Sequence, residues 1–183
     1  GLAYVFVGGF PTSSVQKLDT ADGSVLDTWN FTGLIPDQVM KLSVDGSGNV
    51  IISGSFFNTV DFDPGVAVSN LVGDANGDGF IAKYTSTGTL LWARKLTSSG
   101  ADAVKNHALS AGGDIYFSGS VEAAGTIDVA TADPGQVVGR LDTNGNAQWM
   151  RNTTSNFLGS PLDLYADGIG VDQNGDYYIF GGG

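Results

Sequence analysis

The only three tryptophans of the chain, Trp29, Trp92 and Trp149, stand 63 and 57 residues apart, and so regular a spacing points to an internal repeat. Each closes a segment of one design: residues 15–29 (VQKLDTADGSVLDTW), 81–92 (IAKYTSTGTLLW) and 138–149 (VGRLDTNGNAQW) carry a basic residue, then a glycine turn, then the indole. A second set keeps the same period. Residues 3–9 (AYVFVGG), 49–55 (NVIISGS), 114–120 (DIYFSGS) and 176–182 (DYYIFGG) are short apolar runs closing on glycine or Gly-Ser. A third set, residues 39–45, 108–112 and 169–172, leads into them through turns such as Gly46-Ser47-Gly48.

One repeat therefore holds four strands: one ending at an Asp or Gly turn, an apolar one, one around the Lys or Arg, and one carrying the Trp. Repeated four-stranded antiparallel meanders that tolerate apolar residues on both faces are the signature of propeller-like blades. The expected fold is all-β, a single array over 1–183 of units of about 60 residues: a partial blade at 1–37, blades at 38–104 and 105–167, and a partial blade at 168–183. That gives three, four, four and two strands. Closed propellers need about four blades or more, so the array is expected to be open at its ends. Open edges invite other chains, either the rest of a longer polypeptide or further copies in an assembly.

Composition agrees. Of the nineteen acidic residues eighteen are Asp and one, Glu122, is Glu, and glycine supplies 28 positions, which is the chemistry of turns and not of helix surfaces. The net charge of −11 and the scattered Lys and Arg leave no basic stripe for nucleic acid. Without cysteine the chain has neither disulfides nor thiolate chemistry. No stretch approaches a membrane-spanning apolar run, and the start at Gly1 reads as a processed or excised segment. The two glycosylation sequons, at Asn30 and Asn152, are short enough to arise by chance.

The sharpest local motif is Asp74-Ala75-Asn76-Gly77-Asp78-Gly79, with oxygen side chains at alternate positions and a glycine for the sharp bend, as calcium loops have. The acid that would complete an EF-hand loop is absent, since Thr85 stands there, so the expected structural calcium draws on Asp74, Asn76 and Asp78 with Asp61 and Asp63 folding back from the same excursion. The bland alternative is an Asx-rich turn. Asp128 and Asp133 are read as solvated turn residues. No residue is nominated as catalytic: the sole histidine, His107, lacks a nucleophile elbow and is read as a polar surface or inter-blade residue. The tryptophans are assigned to packing between blades, with sugar stacking as the alternative, and Phe56, Phe57 and Phe62 are the candidates for an exposed contact surface.

Residues 48–50 (GNV), 54–56 (GSF), 59–65 (TVDFDPG), 80–84 (FIAKY) and 88–95 resemble SBBP-type bacterial β-propeller repeats, most closely across residues 38–96. The resemblance weakens in the third unit, where Thr126-Ile127-Asp128 and residues 132–135 (ADPG) echo the acidic segment without the calcium-like loop, and the first unit lacks the segment. It implies an exported bacterial protein at the cell surface, often of the Bacteroidetes group, and no assigned chemistry. The expected function is non-enzymatic adhesion or recognition of polysaccharide or protein. The alternatives are a filament or tube subunit joined through open edge strands and, more weakly, part of a propeller glycoside-active enzyme.

Overall fold

A residue whose carbonyl accepts the N–H of a glycine three positions on, and whose side-chain oxygen accepts the N–H two positions on, reverses a chain with its own atoms. This unit recurs at 45–48, 85–88, 142–145 and 172–175. The glycine N–H donates to Asp45, Thr85, Asp142 and Asp172 carbonyls at 2.9–3.1 Å, and the side chains of the same residues take the N–H of Ser47, Thr87, Asn144 and Asn174. In each the glycine has φ between +78° and +86°, where a Cβ is disfavoured. Hairpins at fixed intervals follow, and with them an antiparallel all-β fold.

In the computed structural model the described residues are 1–9, 12–35, 38–157, 160–163 and 168–181, with only the backbone of 154–157 and 160–163. Strands β1 (Leu2–Gly9), β2 (Thr12–Asp19) and β3 (Val25–Thr32) form one antiparallel sheet. The next is the meander β4 (Val39–Val44), β5 (Val50–Phe56), β8 (Asp78–Tyr84) and β9 (Leu90–Thr97). A third joins β10 (Asp102–Leu109), β11 (Ile115–Val121), β14 (Gly135–Leu141) and β15 (Ala147–Asn152), and β18 (Gly168–Val171) pairs with β19 (Tyr177–Phe180). No helix among the described residues is long and apolar enough to cross a membrane.

Three short hairpins add to the thirteen strands anticipated from the sequence: β6 (Thr59–Asp61) with β7 (Asn70–Val72), β12 (Gly125–Ile127) with β13 (Ala130–Ala132), and β16 (Thr154–Phe157) with β17 (Ser160–Asp163). The first two replace what the sequence suggested was a long loop between the second and third strands. Strand β12 also pairs with the outer edge of β9, Thr126 opposite Thr97 and Ile127 opposite Leu96, so the second sheet grows to six strands. A strand edge left open by one sheet is thereby covered by the excursion of the next.

Strands β5 and β8 are buried on both faces, and the two-residue strand period divides their side chains between two cores. Val50, Ile52, Phe80, Ala82 and Tyr84 meet Val15, Trp29 and Phe31 on one side, while Ile51 and Ile81 join Trp92, Phe117, Val137 and Leu141 on the other. The second sheet is thus the filling between its neighbours, which explains its apolar runs without alternation.

Trp29 and Trp92 seat their sheets on the turn of the next. A Cβ on Gly88 would stand 2.6 Å from Cδ1 of Trp29, and one on Gly145 2.5 Å from Cδ2 of Trp92, so only glycine lets the indole lie on the turn. Polar contacts repeat the link. Lys17 Nζ donates to the Ser86 carbonyl (3.2 Å), Trp92 Nε1 to that of Thr143 (3.2 Å) and Arg94 Nε to that of Gly145 (2.8 Å). Trp29 and Trp92 are 4% and 9% exposed, in keeping with the packing role expected of them.

Candidate functional site

Residues 74–78 close the β7–β8 connection as an Asx turn: Asp74 Oδ1 accepts the N–H groups of Asn76 (2.8 Å) and Gly77 (2.9 Å). Asp78 opens β8 fully buried. Its Oδ2 accepts from the Asp74 N–H (3.0 Å) and from Lys95 Nζ (3.3 Å), and Lys95 also donates to the Val72 carbonyl (2.9 Å). Oδ1 of Asp78 has no protein partner. Asn76 lies at the rim of a small cavity of about 200 Å³ shared with Ser55, Phe57 and Asp102.

Asp61 and Asp63 are elsewhere. Asp61 Oδ1 accepts from the N–H groups of Asp63 (3.0 Å) and Ser69 (2.8 Å), and Asp63 Oδ1 from that of Gly65 (2.7 Å), so both carboxylates shape the tip of the β6–β7 hairpin. That tip lies by Tyr84, whose hydroxyl donates to the Phe62 carbonyl at 3.0 Å. Burial pushes the Tyr84 phenol well up, and the charges of Asp63 and Asp61 add to it. Six residues of strand separate Asp78 from Tyr84, roughly 20 Å. The structure therefore gathers Asp74, Asn76 and Asp78 in one turn and leaves Asp61 and Asp63 out of it. Among the described residues no group of three or more His, Cys, Asp and Glu could hold a metal.

The aromatics divide differently from the sequence expectation. Phe57 is 41% exposed, but Phe56 and Phe62 are fully buried. The β6–β7 hairpin folds Phe62 back onto Phe56 and Phe80, with ring centroids 5.5 and 4.9 Å away. Phe56 and Phe62 are therefore core residues, because the excursion that carries Phe62 is a hairpin packed on the sheet and not a projecting loop. Asp128 and Asp133 are exposed turn residues.

His107 on β10 is 2% exposed and bridges two sheets: Nε2 lies 2.6 Å from Ser43 Oγ and Nδ1 2.8 Å from Ser53 Oγ. A neutral imidazole offers one N–H and one lone pair, which two hydroxyls satisfy. Burial, with the charge of Lys41 second, holds its pKa down at about 3. The inter-sheet reading of this histidine fits its place. Ser118 occupies in β11 the position of Ser53 in β5, but the residue of β18 equivalent to His107 is Ile169, and the Ser118 hydroxyl is a buried group without a protein partner.

One hollow was not foreseen from the sequence. The turns at 45–48, 110–113 and 142–145 meet between the second and third sheets around a cleft of about 710 Å³, lined among others by Ser47, Asn49, Lys83, Leu91, Trp92 and Asn144. Lys83 Nζ lies 3.0 Å from Asp45 Oδ2 at its floor, both side chains nearly buried at 6% and 7% exposure. Burial tends to raise the Asp45 pKa, but hydrogen bonds from Asn49, Lys83 and the Ser47 N–H outweigh it and hold the carboxyl at about 2. The floor is an ion pair with no free charge to offer, and the walls are amides, hydroxyls and peptide groups beside the half-exposed Leu91. Such a lining can hold a polar, uncharged ligand by hydrogen bonds. The basic residue repeated at Lys17, Lys83 and Arg140 was the signal in the sequence. Its carboxylate partners, Asp45 for Lys83 and Asp114 for Arg140, come from the β4–β5 and β10–β11 turns.

No family model matches the chain, and no curated protein matches it.

Proposed function

We propose that the chain is a non-catalytic recognition module of a bacterial cell surface, an open array of propeller-like blades that presents turn-lined clefts to a polysaccharide. The single observation that carries this reading is the cleft of about 710 Å³ between the second and third sheets, within the usual size range of ligand sites, at about 300–1,000 Å³, and lined by hydrogen-bonding groups around a neutralised ion pair. The meander order of the two central sheets and the seating of Trp29 and Trp92 on the next turn support the blade reading, and the SBBP-like residues support the location. The buried His107, held by two serines, is no general base, which favours binding over catalysis.

The test is a glycan array probed with the 183-residue chain and with Ser47→Ala and Asn144→Ala, both at exposed turn positions. Binding to a neutral glycan, weakened about fivefold by either variant, is the expected result, since one lost hydrogen bond is worth about 1 kcal/mol. Binding that both variants leave intact would move the site away from the cleft, and silence across the array would end the polysaccharide reading.

Calcium has one place in this proposal, the turn of Asp74, Asn76 and Asp78, as a brace using the Asp78 oxygen that no protein group reaches. Lys95 already neutralises that carboxylate in part, so the expected gain is about 1 kcal/mol or less, a rise in Tm of about 2–4 °C with calcium over chelator. An unchanged Tm would remove the ion.

A further inference from the structure

Each indole that is followed by a complete sheet lies on a turn glycine: Trp29 on Gly88 and Trp92 on Gly145. Trp149 does not. It is half-buried where the other two are 4% and 9% exposed, and no turn glycine among the described residues meets its ring. At the other end of the molecule the reverse holds. Gly23 of the β2–β3 turn has φ +76° and donates its N–H to the Asp19 carbonyl at 2.8 Å, as Gly88 does to Thr85, in a turn one residue longer. A Cβ there would meet nothing within 4 Å. One end carries an indole without a turn and the other a turn without an indole.

The strands at the two ends occupy the same place in their sheets. Ala3 of β1 pairs with Leu18 as Val50 does with Tyr84 and Ile115 with Leu141, which is the position Tyr177 holds in β19, so Ala3 answers to Tyr177 and Val5 to Ile179. Strand β1 is paired with β2 over eight residues and has its other edge open among the described residues, whereas β19 is paired over four, all exposed. Tyr177 packs on Trp149 of the preceding sheet with ring centroids 5.5 Å apart, whereas Tyr4 packs on Trp29 within its own sheet at 5.7 Å, as Tyr116 does on Trp149 at 6.3 Å.

We infer that two copies of the chain join head to tail, the β1–β3 sheet of one copy displacing β19 beside β18 of the other, so that Gly23 seats on Trp149. The hybrid sheet, β18 followed by β1, β2 and β3, has the four-strand order of the two central sheets, with Ala3 and Val5 at the places of Tyr177 and Ile179. The occupant is a second copy because the fit repeats, residue type by residue type, the two Trp–Gly seats already inside the molecule. The contact is heterologous, so it generates rings or filaments according to whether it closes. It stands independently of the glycan cleft.

Sedimentation velocity of the 183-residue chain over a concentration series tests it, with two variants. Gly23→Asn keeps the isolated fold, since asparagine tolerates positive φ and the space around Gly23 is open, but sets a side chain where the indole must lie. Trp149→Ala removes the indole. The expected result is association of the unmodified chain in multiples of 18.8 kDa, loss of association in each variant alone, and recovery of a species of two chains and no more when the variants are mixed, because the mixture holds one intact seat. A single-chain mass for the unmodified protein at every concentration, association that Gly23→Asn does not weaken, or mixed variants that stay apart would each overturn it.

Discussion

At the residue scale the polar groups between the sheets set the conditions under which the fold survives. His107 is neutral in the folded chain with a pKa of about 3, against the usual 6.5 when unfolded. Below pH 6.5 the unfolded chain binds a proton that the folded one refuses. Stability is therefore full above that pH and falls by about 1.4 kcal/mol per pH unit as the pH drops from 6.5 toward 3. Urea denaturation at pH 7.0, 6.0 and 5.0, above the range where the carboxylates titrate, should show that slope. His107→Gln should flatten it while costing about 1–2 kcal/mol at pH 7 through the altered serine contacts; a slope that survives the substitution would assign it to other groups. The sequence marked His107 only as a lone histidine. Its partners Ser43 and Ser53 are 64 and 54 residues away, and no local pattern announces a contact of that range.

At the element scale the departure from expectation is the β6–β7 hairpin. Asp61 and Asp63 looked like ligands because carboxylates in a long excursion are free to fold back. In the structure they are spent on the backbone of their own turn, and the hairpin they shape carries Phe62 onto Phe56 and Phe80. Phe62→Ala should then cost about 3–4 kcal/mol, the range for emptying a buried aromatic site, whereas Phe57→Ala, with its ring 41% exposed, should cost less than about 1 kcal/mol. Chemical denaturation of the two variants checks this, and equal costs would mean that the hairpin does not pack as described. The turn motifs at 45–48, 85–88, 142–145 and 172–175 were legible in the sequence because their hydrogen bonds span no more than four residues. The excursions were not, because nothing local distinguishes a packed hairpin from a solvated loop when both are rich in Asp, Gly and Pro.

At the scale of the molecule each sheet holds its neighbours through a shared core, and protection should follow the number of neighbours. Strands β5, β8 and β11 lie between two packed faces and are buried along their lengths, while β19 is exposed throughout. Hydrogen exchange should show the slowest amides in β5, β8 and β11 and the fastest strand exchange in β19, by several orders of magnitude. Uniform protection across all the sheets would contradict a stack that is stabilised neighbour by neighbour. The head-to-tail contact would slow exchange in β1 and leave β19 fast, since β19 is the strand displaced.

The sequence by itself determined the thirteen principal strands, their antiparallel order and the need for glycine in the turns, because these rest on neighbours in the chain and on a two-residue period. It also pointed, through the spacing of Trp29, Trp92 and Trp149, to a recurring unit. Only the tertiary structure decided that Trp29 and Trp92 lie on the turns of the following sheets, that Lys83 pairs with Asp45 beneath a cleft, and that Phe62 is core while Asp61 and Asp63 stand away from Asp78. Those are meetings of residues from different strands, fixed by how one sheet stacks on the next, and stacking is a property of two surfaces that neither segment of sequence contains alone.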